Sequence, residues 1–309
     1  MGKASRAKTD INRRERIAAQ RAAERRREQQ QRLLMAGGAI LAVVIIVIGF
    51  VIWKANNSGN NVAGASNGPT GATLTSVVSD ATNVPASTLD SVGAGGSSLQ
   101  GAIKKISGAT PLTSNGKPEV FFEGAEYCPY CAANRWGMVV ALSRFGTFTG
   151  LKTVHSSTTD TPPNIPTFTF HGSTYTSKYI TFTAVETLTN IPTTAAPYYT
   201  TLDTPTAAQQ ALVTKYDAPP YTSSQNAGAI PFVDFGNQYL QSGDLPMLTP
   251  QVLKGDWAQI AADLKTPSTA NAKAVDGAAN FMTAAICKMT NNQPATACTS
   301  TIQGLESQL

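Results

Sequence analysis

Charge is scarce in this chain: Asp, Glu, Lys and Arg together make up 14% of its 309 residues. A surface poor in charge and rich in Thr, Ser, Ala, Asn and Gly beyond residue 55 suits an exported domain better than a cytosolic one. Histidine is scarcer still, occurring only as His155 and His171. Neither is spaced with a cysteine to build a metal site or a catalytic dyad, so both read as surface or strand-end positions. There is no internal repeat, and no cysteine closely follows the apolar N-terminal run, so a lipid-attachment motif is absent. The 42% of apolar residues is nevertheless that of a chain able to build a core.

The net charge of +5 is confined to one end. Residues 1–32 carry nine Arg and two Lys against four acids, a balance of +7, which leaves −2 for residues 33–309. That division excludes a nucleic-acid-binding reading of the whole chain. A basic tail beside an apolar run has a topological meaning instead. Residues 33–53 contain no charged side chain, and at 1.5 Å per residue they can cross a hydrocarbon core of about 30 Å. The run exceeds the roughly 7 to 15 apolar residues of a cleaved signal peptide, so it reads as an uncleaved signal anchor. Residues 1–32 are then a basic cytoplasmic tail in contact with membrane lipid, residues 33–53 a single transmembrane helix, and everything beyond lies outside the cytoplasm. Residues 54–72 are rich in Gly, Asn and Ser and read as a flexible tether. Residues 73–309 form the extracytoplasmic domain.

Within that domain, a short helix precedes Pro85 and a glycine-rich turn spans residues 93–96. Residues 119–122 (Glu-Val-Phe-Phe) read as a short buried strand, followed by a loop and then Cys128-Pro129-Tyr130-Cys131. After Cys131, the apolar positions Ala132, Trp136, Val139, Val140 and Leu142 fall at helical spacing, ending near Gly146. Core packing accounts for Trp136, and solvent exposure for Arg135. Residues 151–155 are the expected next strand, completing a strand-helix-strand unit with a parallel sheet. Residues 156–228 exceed a simple connection and read as an insertion holding strand-like runs at 167–170 and 179–184 and a helix at 207–216. Residues 230–235 form a buried strand that turns at Gly236-Asn237 into an antiparallel partner. Helices near 253–264 and 272–289 end the chain.

Two cysteines separated by two residues at a helix start present the first sulfur to unpaired backbone N–H groups, which favour the thiolate. Cys128 is the expected nucleophile, with Cys131, one turn on, resolving the mixed disulfide. Pro129 enters the first turn without loss of a helical hydrogen bond. Zinc sites and structural staples also use this spacing; the preceding strand, following helix and extracytoplasmic location favour redox chemistry. Glu123 and Glu126 lie just upstream, where either would relay a proton or sit as a solvated loop carboxylate. Cys287 and Cys298 flank a polar loop and read as a structural disulfide, with a second redox pair or a four-cysteine zinc site as alternatives.

At these residues the chain resembles the thioredoxin superfamily, and Ile230-Pro231 before a strand resembles that superfamily's cis-proline loop. The resemblance implies that Pro231 is cis and packs beside Cys128, leaving the backbone of Ile230 to pair with a substrate peptide. More closely, residues 124–148, GAEYCPYCAANRWGMVVALSRFGTF, resemble the membrane-anchored thioredoxin-like family catalogued as domain-of-unknown-function family 929. That resemblance covers nearly all of residues 73–309. It implies an α/β, thioredoxin-like fold with an insertion at about 156–228 and a helical C-terminal extension. Tyr127 stands where thioredoxins usually have Trp, and Pro-Tyr replaces Gly-Pro between the cysteines. The expected activity is dithiol-disulfide exchange on exported proteins, by oxidation or isomerisation, without organic cofactor or metal. A membrane oxidase or thiol shuttle would be the electron partner. Two rivals stand beside it: a binding or assembly module with a static disulfide, and a carrier of copper or zinc.

Overall fold

The structure, a computed structural model, describes residues 68–309. The cytoplasmic tail, the transmembrane helix and nearly all of the tether expected from the sequence lie outside the described residues. Among the described residues, no helix is long and apolar enough to cross a membrane.

Helices α1 (Gly71–Thr82) and α2 (Ala86–Val92) lead into strands β1 (Ile103–Lys105), β2 (Thr113–Ser114) and β3 (Lys117–Gly124). Helix α3 (Pro129–Ser143) follows, then β4 (Gly146–Thr149), β5 (Lys152–His155), β6 (Pro166–Thr169), β7 (Thr174–Ser177) and β8 (Thr181–Glu186). The chain continues through β9 (Leu188–Pro192), β10 (Tyr199–Thr201), α4 (Ala207–Tyr216), β11 (Phe232–Phe235) and β12 (Tyr239–Ser242). Helices α5 (Trp257–Asp263), α6 (Ala270–Met289) and α7 (Ser300–Leu305) complete it.

The central sheet runs β1-β12-β11-β3, with β8 beside β3 and the short β2 at the start of β3. β3 and β8 are parallel, and every other pairing in this sheet is antiparallel. Val120, Phe121 and Phe122 make β3 apolar on both faces because both faces are covered. Val120 and Phe122 join the larger core with Trp136 of α3 and Phe281 of α6. Phe121 joins a smaller one with Phe232, Leu240, and Val213 and Tyr216 of α4. Each buried Phe contributes about 2–3 kcal/mol by removal from water. The β11–β12 turn places Gly236 at φ 69° and Asn237 at φ 55°. Two successive positive φ values define the tight hairpin that Gly-Asn favours.

The parallel partner of β3 is not residues 151–155. Those residues form β5, which pairs antiparallel with β6, whereas Glu119 to Gly124 of β3 register with Thr181 to Glu186 of β8. Between α3 and β8 the chain first builds two ladders, β4–β7 and β5–β6, the second packing on α3 through Trp136 and Phe168. The stretch 156–228, read as an insertion, therefore supplies a strand of the central sheet. Alternation within a short run sets which side of a strand is apolar but not which strand lies beside it, so nearness in sequence does not identify the partner of β3.

Candidate functional site

Cys128 is the N-cap of α3 (φ −71°, ψ 121°), and Pro129 occupies the first turn. The backbone N–H of Cys131 donates to Cys128 Sγ at 3.2 Å. Across a separation of 102 residues, the Cys128 thiol faces the carbonyl of Ile230 at 3.8 Å. The Ile230–Pro231 peptide bond is cis and Pro231 is buried. The topology thus brings Cys128, Cys131 and the Ile230-Pro231 loop together. Both thiols are free, with Cys128 5% exposed and Cys131 fully buried.

The two sulfurs differ electrostatically. The Cys128 pKa is lowered, first by the hydrogen bond from the Cys131 thiol and then, against the effect of burial, by the N–H groups of Cys131 and Tyr130 and the charge of Arg135. The Cys131 pKa is pushed well up by burial and by its bond to, and charge repulsion from, Cys128. The bond between the two sulfurs, the cap position of Cys128 and the greater depth of Cys131 thus make Cys128 the more acidic thiol of the two.

Arg135 is not solvent-exposed. Its side chain is completely buried, with Nε donating to Glu186 Oε1 at 2.8 Å and Nη2 to Glu186 Oε2 at 2.6 Å. Nη2 also donates to the Ala125 carbonyl at 2.7 Å, in the loop preceding Cys128. Burial opposes the guanidinium's charge, but the Glu186 carboxylate outweighs it and raises the Arg135 pKa. From the Glu186 backbone the contacts run outward: its N–H donates to Asp203 Oδ2 at 3.1 Å, and Asp203 Oδ1 lies 2.7 Å from His171 Nδ1. His171 is thus partly exposed and tied to Asp203 rather than free at the surface. His155 lies at the end of β5, its ring 4.3 Å from that of Trp257.

Glu126 is likewise not a solvated loop carboxylate, being 1% exposed, and its pKa is raised by burial. Glu123 rises to about 7, through burial and then the neighbouring Asp217. These departures share a cause. The loop after β3 passes under α3, and Arg135, four residues after Cys131, falls on the inward face of the helix. Trp136 is in the core, its Nε1 donating to the Pro166 carbonyl at 2.8 Å.

Tyr127 stacks on Tyr199 of β10, and burial lifts its hydroxyl to a pKa of about 12. The β9–β10 hairpin is thereby fixed beside the dithiol, aided by Glu126 N–H donating to the Leu188 carbonyl at 2.9 Å. Cys287 and Cys298 are bonded to each other with Cα atoms 5.8 Å apart, joining the end of α6 to the segment before α7. Among the described residues, no group of three or more His, Cys, Asp and Glu is arranged to hold a metal ion. A cavity of about 220 Å³ opens beside β12, lined by Lys104, Thr222, Asn226 and Ser242 among others, and neither free cysteine lines it.

These features define an α/β domain with a free dithiol capping a helix. The family model described as Domain of unknown function (DUF929) matches residues 103–288, more than half of the chain, and the protein belongs to that family. No curated protein and no solved structure matches it.

Proposed function

We propose that this protein is a membrane-anchored thiol-disulfide oxidoreductase with a thioredoxin-like fold that acts on the cysteines of exported polypeptides. The observation carrying the reading is the placement of one free sulfur, Cys128, at a helix N-terminus, beside Cys131 N–H and facing the carbonyl of Ile230. A helix cap lowers the pKa of a nucleophilic thiol, and a backbone carbonyl next to it offers a substrate strand a place to pair. The order β8-β3-β11-β12, with only the first pair parallel, supports the thioredoxin-like assignment.

In the proposed reaction the Cys128 thiolate attacks a substrate disulfide and forms a mixed disulfide, releasing one substrate thiolate, which takes a proton from solvent. Cys131 then loses its proton and attacks Cys128 Sγ, closing the Cys128–Cys131 bond and releasing the second substrate thiolate. Oxidation of a substrate dithiol is the same sequence reversed. After reducing a substrate disulfide the pair would be re-reduced by a membrane thiol shuttle; after oxidising a substrate dithiol it would pass its two electrons to a membrane oxidase.

A second reading draws on one observation: Cys128 is only 5% exposed, as in a binding module whose thiols do not exchange. The two readings separate when the full chain is equilibrated across dithiothreitol buffers of graded poise and alkylated for mass spectrometry. The oxidoreductase reading expects Cys128 and Cys131 to titrate reversibly while Cys287–Cys298 stays closed. A pair that does not cycle, or a Cys128 that resists alkylation in the folded protein, establishes the binding module instead.

A further inference from the structure

Arg135 is a fully buried charged side chain that the exchange steps above leave unused. It follows Cys131 by four positions on α3, so their Cβ atoms lie about 6 Å apart on one helix face. Its guanidinium donates to the Ala125 carbonyl, in the loop that leads from β3 to Cys128. The preceding residue, Gly124, abuts Cys131: a Cβ there would sit 3.2 Å from Cys131 Sγ. Glu186 balances the charge through two hydrogen bonds, yet Arg135 Nη1 and Glu126 Oε2, both buried, have no hydrogen-bond partner. A buried ion pair is a poor device for stability, because well-packed apolar side chains of similar volume do as well or better. Its position one helical turn after Cys131, bonded to the loop that carries Cys128, suits a role at the sulfurs.

We infer that Arg135 is a positioning residue that sets the redox poise of the Cys128–Cys131 pair, favouring the reduced state and making the pair an acceptor of electrons from polypeptide dithiols. This rests on the exchange reading given above. The disulfide carries no charge, whereas the reduced pair carries a thiolate, so a fixed positive charge in a dry site stabilises one state and not the other. In keeping with that, Arg135 draws both thiols toward ionisation. In the favoured direction a substrate thiol loses its proton to solvent and attacks Cys128 Sγ, breaking the Cys128–Cys131 bond. Cys131 leaves with the electron pair and takes up a proton. The second substrate thiol, deprotonated in turn, attacks the substrate sulfur of the mixed disulfide and releases Cys128 as thiolate. The substrate loses two electrons and two protons; the pair gains two electrons and one proton, and the other proton remains in solvent.

Two variants of the full chain test the inference by the same dithiothreitol titration. Arg135→Met combined with Glu186→Gln leaves no buried charge unpaired between those two positions. Its pair becomes harder to reduce, the equilibrium constant moving about tenfold, which is ~30 mV for a two-electron couple. Glu186→Gln alone removes the counter-charge and keeps Arg135, and shifts the equilibrium at least threefold in the opposite direction. A merely structural ion pair would move neither potential, or both the same way, and either result overturns the inference; where only one variant folds well enough to be measured, an unshifted potential or a shift of the opposite sign in that variant overturns it. A wild-type pair that does not equilibrate overturns the exchange reading and this one together, whereas a cycling wild type with unshifted variants overturns this one alone.

Discussion

Tyr199 lies flat on Tyr127, the ring centroids 4.2 Å apart and the planes 4° from parallel. Tyr127 is the residue before Cys128, and Tyr199 also donates its hydroxyl to Ser157 Oγ at 2.9 Å. The β9–β10 hairpin therefore reports directly on the loop that carries Cys128. Replacing Tyr199 with Ala removes a stacked pair worth about 0.5–1.5 kcal/mol in addition to the buried ring area. The expected loss is about 2 kcal/mol in urea unfolding, with faster alkylation of Cys128 as its loop loosens. Tyr199→Phe keeps the stack and loses only the hydroxyl, at a cost of about 1 kcal/mol. Equal losses in the two variants would show that the stack itself contributes nothing.

Asp276 sits in α6 with no exposed surface, and neither carboxyl oxygen has a hydrogen-bond partner. Burial raises its pKa to about 8, from an ordinary value of 3.8. A folded-state pKa above the unfolded one means that the native state binds the proton more tightly. The contribution to stability is complete below about pH 4 and is lost as pH rises through 8. Asp276→Asn fixes the neutral form, so its stability relative to the parent should increase between pH 4 and pH 8, by a few kcal/mol over the window. Unfolding free energies of both proteins across that range check the sign. Parallel curves would place Asp276 in contact with a compensating charge.

Gly124 ends β3 where a side chain has no room. An added Cβ would lie 2.5 Å from Phe122 Cζ as well as close to Cys131 Sγ. Phe122 is fully buried and its ring cannot swing aside, so overpacking of this kind costs about 1–3 kcal/mol. Gly124→Ala should therefore lower stability and displace the Cys131 sulfur, altering the ratio of Cys131 to Cys128 alkylation in the reduced protein. An unchanged melting temperature with unchanged alkylation would mean that the strand end shifts freely.

Much of the local architecture was legible because it is written in neighbouring residues. Helix α4 spans the expected residues 207–216, and Thr206 and Gln209 close it with a reciprocal capping box. Gly236-Asn237 announced the β11–β12 hairpin, and the Cys-Pro start of α3 followed from proline's place in a first turn. What was not legible depends on partners far along the chain. Arg135 reads as a surface residue until Glu186, 51 positions later, is found beside it. Glu126 reads as a loop acid until the loop is seen to run beneath the helix. The pairing of β3 with β8 is hidden for the same reason, since side-chain alternation does not name a neighbour.

The distance along the chain between Arg135 and Glu186 has a consequence for the order of assembly. An arginine buried without its carboxylate costs several kcal/mol, so the inner face of α3 cannot settle until β8 has docked against β3. Closing a loop of some fifty residues is an entropic step that local helix formation does not share. The cysteine pair therefore acquires its final electrostatic surroundings late, after the ladders between α3 and β8 have let the chain return. Both thiols therefore exist in the chain before the paired charges of Arg135 and Glu186 stand behind them.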